Sequence, residues 1–148
     1  MNTKTLRIST INVNGICETV KRCKVLALLR DCEADIILVQ ETHSISLNDW
    51  EGISHCAYLS NYSAGAAILF KKNFSGSVNP IYISDDGRIV AVDVDFFGNK
   101  LRILSVYAPN VPADRKFFFS NLSDHLSMSR HNIVGGDFNC VDSIELDT

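Results

Sequence analysis

The stretch Asp35-Ile36-Ile37-Leu38-Val39-Gln40-Glu41-Thr42-His43 decides how this chain is read. Its apolar run is short, continuous and rich in β-branched residues. That composition suits a strand buried on both faces, because a half-exposed strand would alternate instead. Upstream, Glu18 to Cys32 reads as a helix. Val25, Leu28, Leu29 and Cys32 recur at i, i+3, i+4 and i+7, which leaves Glu18, Lys21 and Lys24 to water. Before it, Leu6 to Val13 alternates as a strand, with Leu6, Ile8 and Thr10 on one side and Ile11 and Val13 on the other. The opening unit is therefore strand, helix, strand, the pattern of a parallel crossover.

Downstream the pattern changes. Ala57–Leu59, Ala66–Phe70, Val78–Ile83, Ile89–Phe96 and Leu101–Tyr107 are successive strand candidates. Turn signals at Asp85-Asp86-Gly87 and Gly98-Asn99 separate some of them. Asp93 and Asp95 alternate with Val92, Val94 and Phe96, so one face of that strand is expected to meet water. A second helix is predicted from Pro112 to about Leu126, with Pro112 in its first turn and Phe119, Leu122 and Leu126 on one face. Asn132 to Val134 reads as a last short strand. Parallel and antiparallel strands flanked by helices imply an α+β fold with sheets inside and helices outside.

The 148 residues suit one domain, and no composition break marks a boundary. The 46% hydrophobic content and net charge of −3 argue against disorder. The apolar runs fall far short of the ~20 residues that cross a bilayer, so no membrane partner is expected. Met1 to Thr10 has no apolar signal core, so no signal peptide is read and an intracellular location is expected. The five cysteines are odd in number and form no C-x-x-C pair, which suits neither a disulfide framework nor a zinc site. Reduced, mostly packed cysteines are expected. The mild acidity gives no electrostatic footprint for nucleic acid, although a bound divalent cation can supply positive charge locally.

Four strands end in polar clusters: Asn12-Val13-Asn14-Gly15, Gln40-Glu41-Thr42-His43, Tyr107-Ala108-Pro109-Asn110 and Gly136-Asp137-Phe138-Asn139. Strands of similar orientation would gather these ends at one rim, where ligand sites commonly form. The set suits a hard metal ion and a phosphate. Mg²⁺ takes one or two carboxylates and keeps water or phosphate oxygens for the rest. Glu41 offers a carboxylate and Asn12 an amide oxygen. Asp137 can orient or deprotonate a water. Asn139 and Tyr107 can donate to a phosphate oxygen that gains charge. Taken singly, each has a plainer reading: Glu41 as the first solvated residue after a strand, Asp137, Asn12 and Asn14 as turn formers, Tyr107 as a half-buried strand end. The histidines at 43, 55, 125 and 131 read as surface or loop residues.

In this order the four clusters resemble the endonuclease/exonuclease/phosphatase superfamily. Within it they are most similar to the exonuclease III and apurinic endonuclease branch, especially the endonuclease domains of LINE-type retrotransposons. The resemblance implies a four-layered αββα sandwich, as in deoxyribonuclease I, and hydrolysis of a DNA phosphodiester with Mg²⁺ or Mn²⁺. It places Asn12 and Glu41 at the metal end, with Asn14 as a further metal-side or phosphate contact. It makes Tyr107, Asp137 and Asn139 the catalytic residues. A downstream reverse transcriptase in a longer parent protein, and a nuclear site of action on genomic DNA, follow from the same resemblance. Asn14 stands where apurinic endonucleases carry aspartate, which weakens abasic-site specificity. The family's later motifs, ending in Ser-Asp-His, would lie beyond Thr148. Ser123-Asp124-His125 spells those letters but precedes the Gly-Asp-Phe-Asn strand. Residues 1–148 are thus expected to be the amino-terminal part of one such domain, with an incomplete second half, poor solubility and little activity alone. A non-enzymatic remnant and a phosphatase of the same superfamily are the alternatives.

Overall fold

The computed structural model describes residues 3–44, 46–58 and 64–140. The run at 36–40 forms strand β2 (Ile36–Gln40), and every residue in it is buried. It lies between β1 (Ile8–Asn12), which is parallel to it, and the antiparallel β4 (Ala66–Phe70), with β3 (Ser54–Ala57) at the far edge. The second sheet has the order β5 (Ser77–Ile83), β6 (Ile89–Phe96), β7 (Asn99–Tyr107), β8 (His131–Asp137). Its last pair, β7 and β8, is parallel and the others are antiparallel.

The period of two along each strand sorts its side chains between two environments. Ile36, Leu38, Ile68 and Phe70 of the first sheet meet Val90, Val92, Val94 and Ile103 of the second in a shared core. The alternate residues Ile37, Val39, Ala67 and Leu69 pack outward against helix α1 (Thr19–Asp31) through Leu26 and Leu29. On the other side Ile89, Ala91, Leu104 and Val106 meet Phe118 of helix α2 (Pro112–Leu122). Helix, sheet, sheet and helix thus make the expected four layers.

Several details depart from the sequence reading. The buried face of α1 is turned from the expected one: Leu28 is 71% exposed and Cys32 is exposed, while Leu26 and Leu29 are buried. The partner sheet chose between overlapping stripes. Arg22, tied to Asp49 at 2.6 Å and to the Cys17 carbonyl at 2.9 Å, anchors the helix on that side. Glu18 caps α1 by accepting the Val20 and Lys21 amides at 2.9 and 2.8 Å, and these bonds hold its carboxyl below the usual range. Helix α2 ends at Leu122, and Ser123–His125 forms a 3₁₀ turn. The buried phenylalanine is Phe118, with Phe119 and Leu122 partly buried and Leu126 exposed. Asp93 does not simply face water. Arg102 grips it at 2.7 and 3.0 Å, and Arg130 adds a contact at 3.3 Å. Strand β3 starts at Ser54 rather than Ala57, and Leu59 lies outside the described residues. The last strand is longer than predicted, running from His131 to Asp137.

The cysteines correct another expectation. Cys17, Cys23, Cys32 and Cys140 are exposed; the packed positions of α1 go to Leu26 and Leu29, which leaves Cys23 and Cys32 outside. Cys56 alone among the five is partly buried, and that burial pushes its thiol up to about 11. Among the described residues no helix is long and apolar enough to cross a membrane.

Asp35 directly precedes β2 and carries the clearest pH dependence. Partial burial opposes its ionisation, but its ion pair with Lys71 and the hydrogen bond from the Arg7 amide (2.7 Å) outweigh that, so its carboxyl sits below the usual range. A depressed folded pKa gives stability that is full above the ordinary aspartate range and is lost as pH falls through the folded value. Asp35→Asn is therefore expected to unfold earlier than the parent at pH 7. The gap should close in strong acid, as checked by thermal melts across pH.

Candidate active site

The same alternation that builds the inter-sheet core also builds the site. Ile8 and Ile133 pack against the shared core, and Leu38, Leu101 and Ile103 belong to it. Two-residue steps along the same strand faces lead to Thr10 and Asn12 on β1, Gln40 on β2, Ser105 and Tyr107 on β7, and Gly135 and Asp137 on β8. The register pairs Asn12 with Gln40 and Tyr107 with Asp137. The aliphatic core thus gives way to polar groups at one end of both sheets.

The transition is a buried polar bridge. Gln40 is 1% exposed and its Nε2 donates to Thr10 Oγ1 at 3.1 Å and to Ser105 Oγ at 3.2 Å. Ser105 Oγ donates in turn to the Val39 carbonyl at 3.1 Å. Both sheets are thereby tied together directly beneath the site. Gln40→Leu leaves Thr10 without this donor and removes one of the two hydrogen bonds that tie the sheets here, the Ser105 bond to the Val39 carbonyl remaining. It is expected to cost roughly 1–2 kcal/mol, read from urea unfolding.

At Glu41 the strand alternation breaks. Its φ is +55°, a left-handed conformation costly for a residue with a Cβ. The turn places its carboxylate with Asn12 and Asp137. Asn12 Nδ2 donates to Glu41 Oε1 at 3.0 Å and to Asp137 Oδ2 at 3.1 Å. Two carboxylates from different sheets therefore converge on one nitrogen. Asn12 Oδ1 accepts the Asn14 amide at 2.9 Å, which fixes the orientation of the side chain. Asn14 itself sits at φ +52°, as its turn role requires. Its carbonyl accepts Lys21 Nζ at 3.0 Å.

Asp137 is held from three sides. Its Oδ1 accepts the Asn139 amide at 3.0 Å, its Oδ2 accepts Asn12, and its carbonyl accepts the Ala108 amide at 2.8 Å. Asn139 Nδ2 donates to the Ala108 carbonyl at 2.6 Å, which leaves its second amide hydrogen to other partners. The Tyr107 hydroxyl lies beside Glu41. Burial first, then the neighbouring Glu41 carboxylate, push its pKa above the usual phenol range. His43 Nε2 approaches Glu41 Oε2 at 3.9 Å. All five principal residues of the sequence reading are thus gathered. Asn14 contributes through its backbone, and its side-chain amide makes no hydrogen bond to either carboxylate.

An open groove of about 840 Å³ runs past these groups. Asn12, Asp137 and Asn139 line it together with Arg115 and Cys140, which the sequence reading did not single out. Arg115 lies one helical turn into α2 and is fixed by a 2.5 Å bond to the Asn110 carbonyl. Its place five residues after the Tyr107-to-Asn110 cluster was visible, but its convergence on the groove was not. Ser123-Asp124-His125 is not in this groove, and the His125 ring stacks on Tyr82 at 3.9 Å.

Among the described residues no group of three or more His, Cys, Asp or Glu could hold a metal ion by itself. The paired carboxylates still fit a hard divalent cation, since such ions accept one or two carboxylates and complete their shell with water and substrate oxygens.

Two paired sheets with helices outside make the αββα architecture of DNase I-like endonucleases and phosphatases. The chain belongs to the endonuclease/exonuclease/phosphatase family, whose model matches residues 9–143. It is 32% identical over 143 residues to the transposon TX1 uncharacterized 149 kDa protein of Xenopus laevis, covering 90% of this chain and 11% of that protein. The fold is similar to the endonuclease domain of TRAS1, a telomere-specific non-LTR retrotransposon (TM-score 0.68, 17% identity, 93% of this chain, 62% of that one). It is also similar to the AP endonuclease LMAP of Leishmania major (TM-score 0.67, 14% identity, 89% and 54%). The chain thus spans less than two thirds of each of these relatives.

Proposed function

We propose that this chain carries the metal-end and water-activating part of a retrotransposon-type DNA endonuclease. The observation that carries the reading is the convergence of Glu41 and Asp137 on Asn12, beside an open groove that Asn12 and Asp137 line. Similarity to a transposon protein supports DNA as the substrate and a reverse transcriptase in the same longer protein as the partner. Action on genomic DNA would place it in the nucleus.

Glu41 would hold Mg²⁺ or Mn²⁺, with Asn12 at the same end. When bound, the ion supplies positive charge to the phosphate oxygens. Asp137, oriented by Asn12 and the Asn139 amide, takes a proton from the attacking water. The water oxygen bonds to phosphorus as the bond to the 3′-oxygen breaks. That oxygen gains a proton from solvent, leaving a 3′-hydroxyl that can prime synthesis. Tyr107 and the second amide hydrogen of Asn139 donate to a non-bridging oxygen as its charge grows. Arg115 offers the groove a fixed cation for the strand backbone.

The test is nicking of supercoiled plasmid at high enzyme concentration. Slow conversion to open circles in Mg²⁺, abolished by EDTA and leaving extendable 3′-hydroxyl ends, is expected. Release of phosphate from inositol phosphates without nicking would overturn the reading.

A further inference from the structure

The turn between β5 and β6 delivers Arg88 to the back of the site. Ser84 is buried there, and its Oγ accepts the amides of Arg88 at 3.0 Å and Ile89 at 2.9 Å. Asp86 Oδ1 also accepts the Arg88 amide at 3.2 Å. The Arg88 carbonyl accepts the Tyr107 amide at 2.8 Å. In return Arg88 Nη1 donates to the Tyr107 carbonyl at 3.1 Å, and its guanidinium carbon lies 5.2 Å from the centre of the Tyr107 ring. One residue therefore engages Tyr107 through its amide, its carbonyl and its aromatic face.

We propose that Arg88 is a positioning residue that clamps the Tyr107 ring so that its hydroxyl is held toward Glu41. The proposal rests on the functional reading above for its catalytic consequence. Tyr107 is the last residue of β7, and the Ala108 amide on the Asp137 carbonyl fixes the backbone there, but backbone bonds do not set the torsions of the Tyr107 ring. A guanidinium within about 6 Å of an aromatic ring holds it by charge and by planar stacking. Lysine keeps the charge but loses the planar guanidinium and its Nη1 bond to the carbonyl. Arg88 acts through Tyr107 and need not touch substrate.

Two measurements test this on the full chain. First, with ring-¹³C tyrosine, Arg88→Gln is expected to move or broaden the Tyr107 ring signals while those of Tyr58, Tyr62 and Tyr82 hold, with Tyr107→Phe providing the assignment. Arg88→Lys should give a smaller change. An unmoved Tyr107 ring in Arg88→Gln would overturn the clamp, and this readout does not depend on cleavage. Second, in single-turnover nicking, Arg88→Gln is expected to lower the rate at saturating DNA by about tenfold to a hundredfold. The DNA concentration for half-saturation should stay the same, and Arg88→Lys should recover part of the rate. In a Tyr107→Phe background Arg88→Gln should add little. A multiplicative loss there, or a loss confined to half-saturation, would overturn positioning through Tyr107. A parent chain that fails to nick while its ring signals respond would sink the nuclease reading and leave the clamp standing.

Discussion

Asp137→Asn is expected to lower metal-dependent nicking by about three orders of magnitude while the fold persists. The amide has the shape of the carboxylate and can keep the bonds to Asn139 and Ala108. It cannot accept a proton from water at neutral pH. General-base catalysis is typically worth 10²–10⁴-fold, and this carboxylate is fixed on both oxygens, which places it toward the upper part of that range. Glu41→Gln should differ in kind: under the proposed metal-holding role of its carboxylate, its loss should be partly recovered by raising the metal concentration. The check is a metal titration of nicking rates for the parent and both variants. Recovery of Asp137→Asn by added metal would exchange the two roles.

Gly136→Ala is expected to destabilise the protein by about 3 kcal/mol and to disable the site with it. Gly136 has φ +150°, and a Cβ there would stand 2.0 Å from the Val106 carbonyl oxygen. That atom is backbone in the parallel β7–β8 pair and cannot turn aside, so strand register must yield. A strained backbone conformation costs ~1–3 kcal/mol and overpacking a similar amount. Asp137 follows directly, so any shift of β8 moves its carboxylate from Asn12. Gly135→Ala should be milder, since its Cβ meets the end of the Leu38 side chain at 2.6 Å, which another rotamer can relieve. Gly98→Ala meets no atom within 4 Å and bears only the strain of φ +83°. Urea unfolding of the three variants should rank Gly136 first, and equal midpoints would refute the register argument.

Much of this was legible because it is local. The apolar run at 36–39 had to be a buried strand, since four consecutive apolar side chains point to both faces and each face needs cover. The polar residues after Asn12, Gln40, Tyr107 and Gly136 had to lie near strand ends, because ladders stop where turn-forming residues begin. What was less legible depends on partners distant in sequence. The stripes on α1 overlap, and only the sheet beneath selected Leu26 and Leu29 over Leu28 and Cys32. Cysteine carries no local signal for burial, so its exposure followed from where α1 and the loops came to rest. Asp93 read as solvent-facing because alternation reports a face, not the two arginines that cover it.

The sequence by itself determined the strands, their polar ends and the residue types available for the proposed phosphodiester chemistry. Tertiary structure decided which of those ends meet. Side-chain alternation reports a face for each strand separately, and pairing, register and the stacking of two sheets are needed to bring those faces together. Only that stacking sets Glu41 and Asp137 on one Asn12 nitrogen, buries Gln40 as the tie beneath them, and carries Arg88 to the ring of Tyr107.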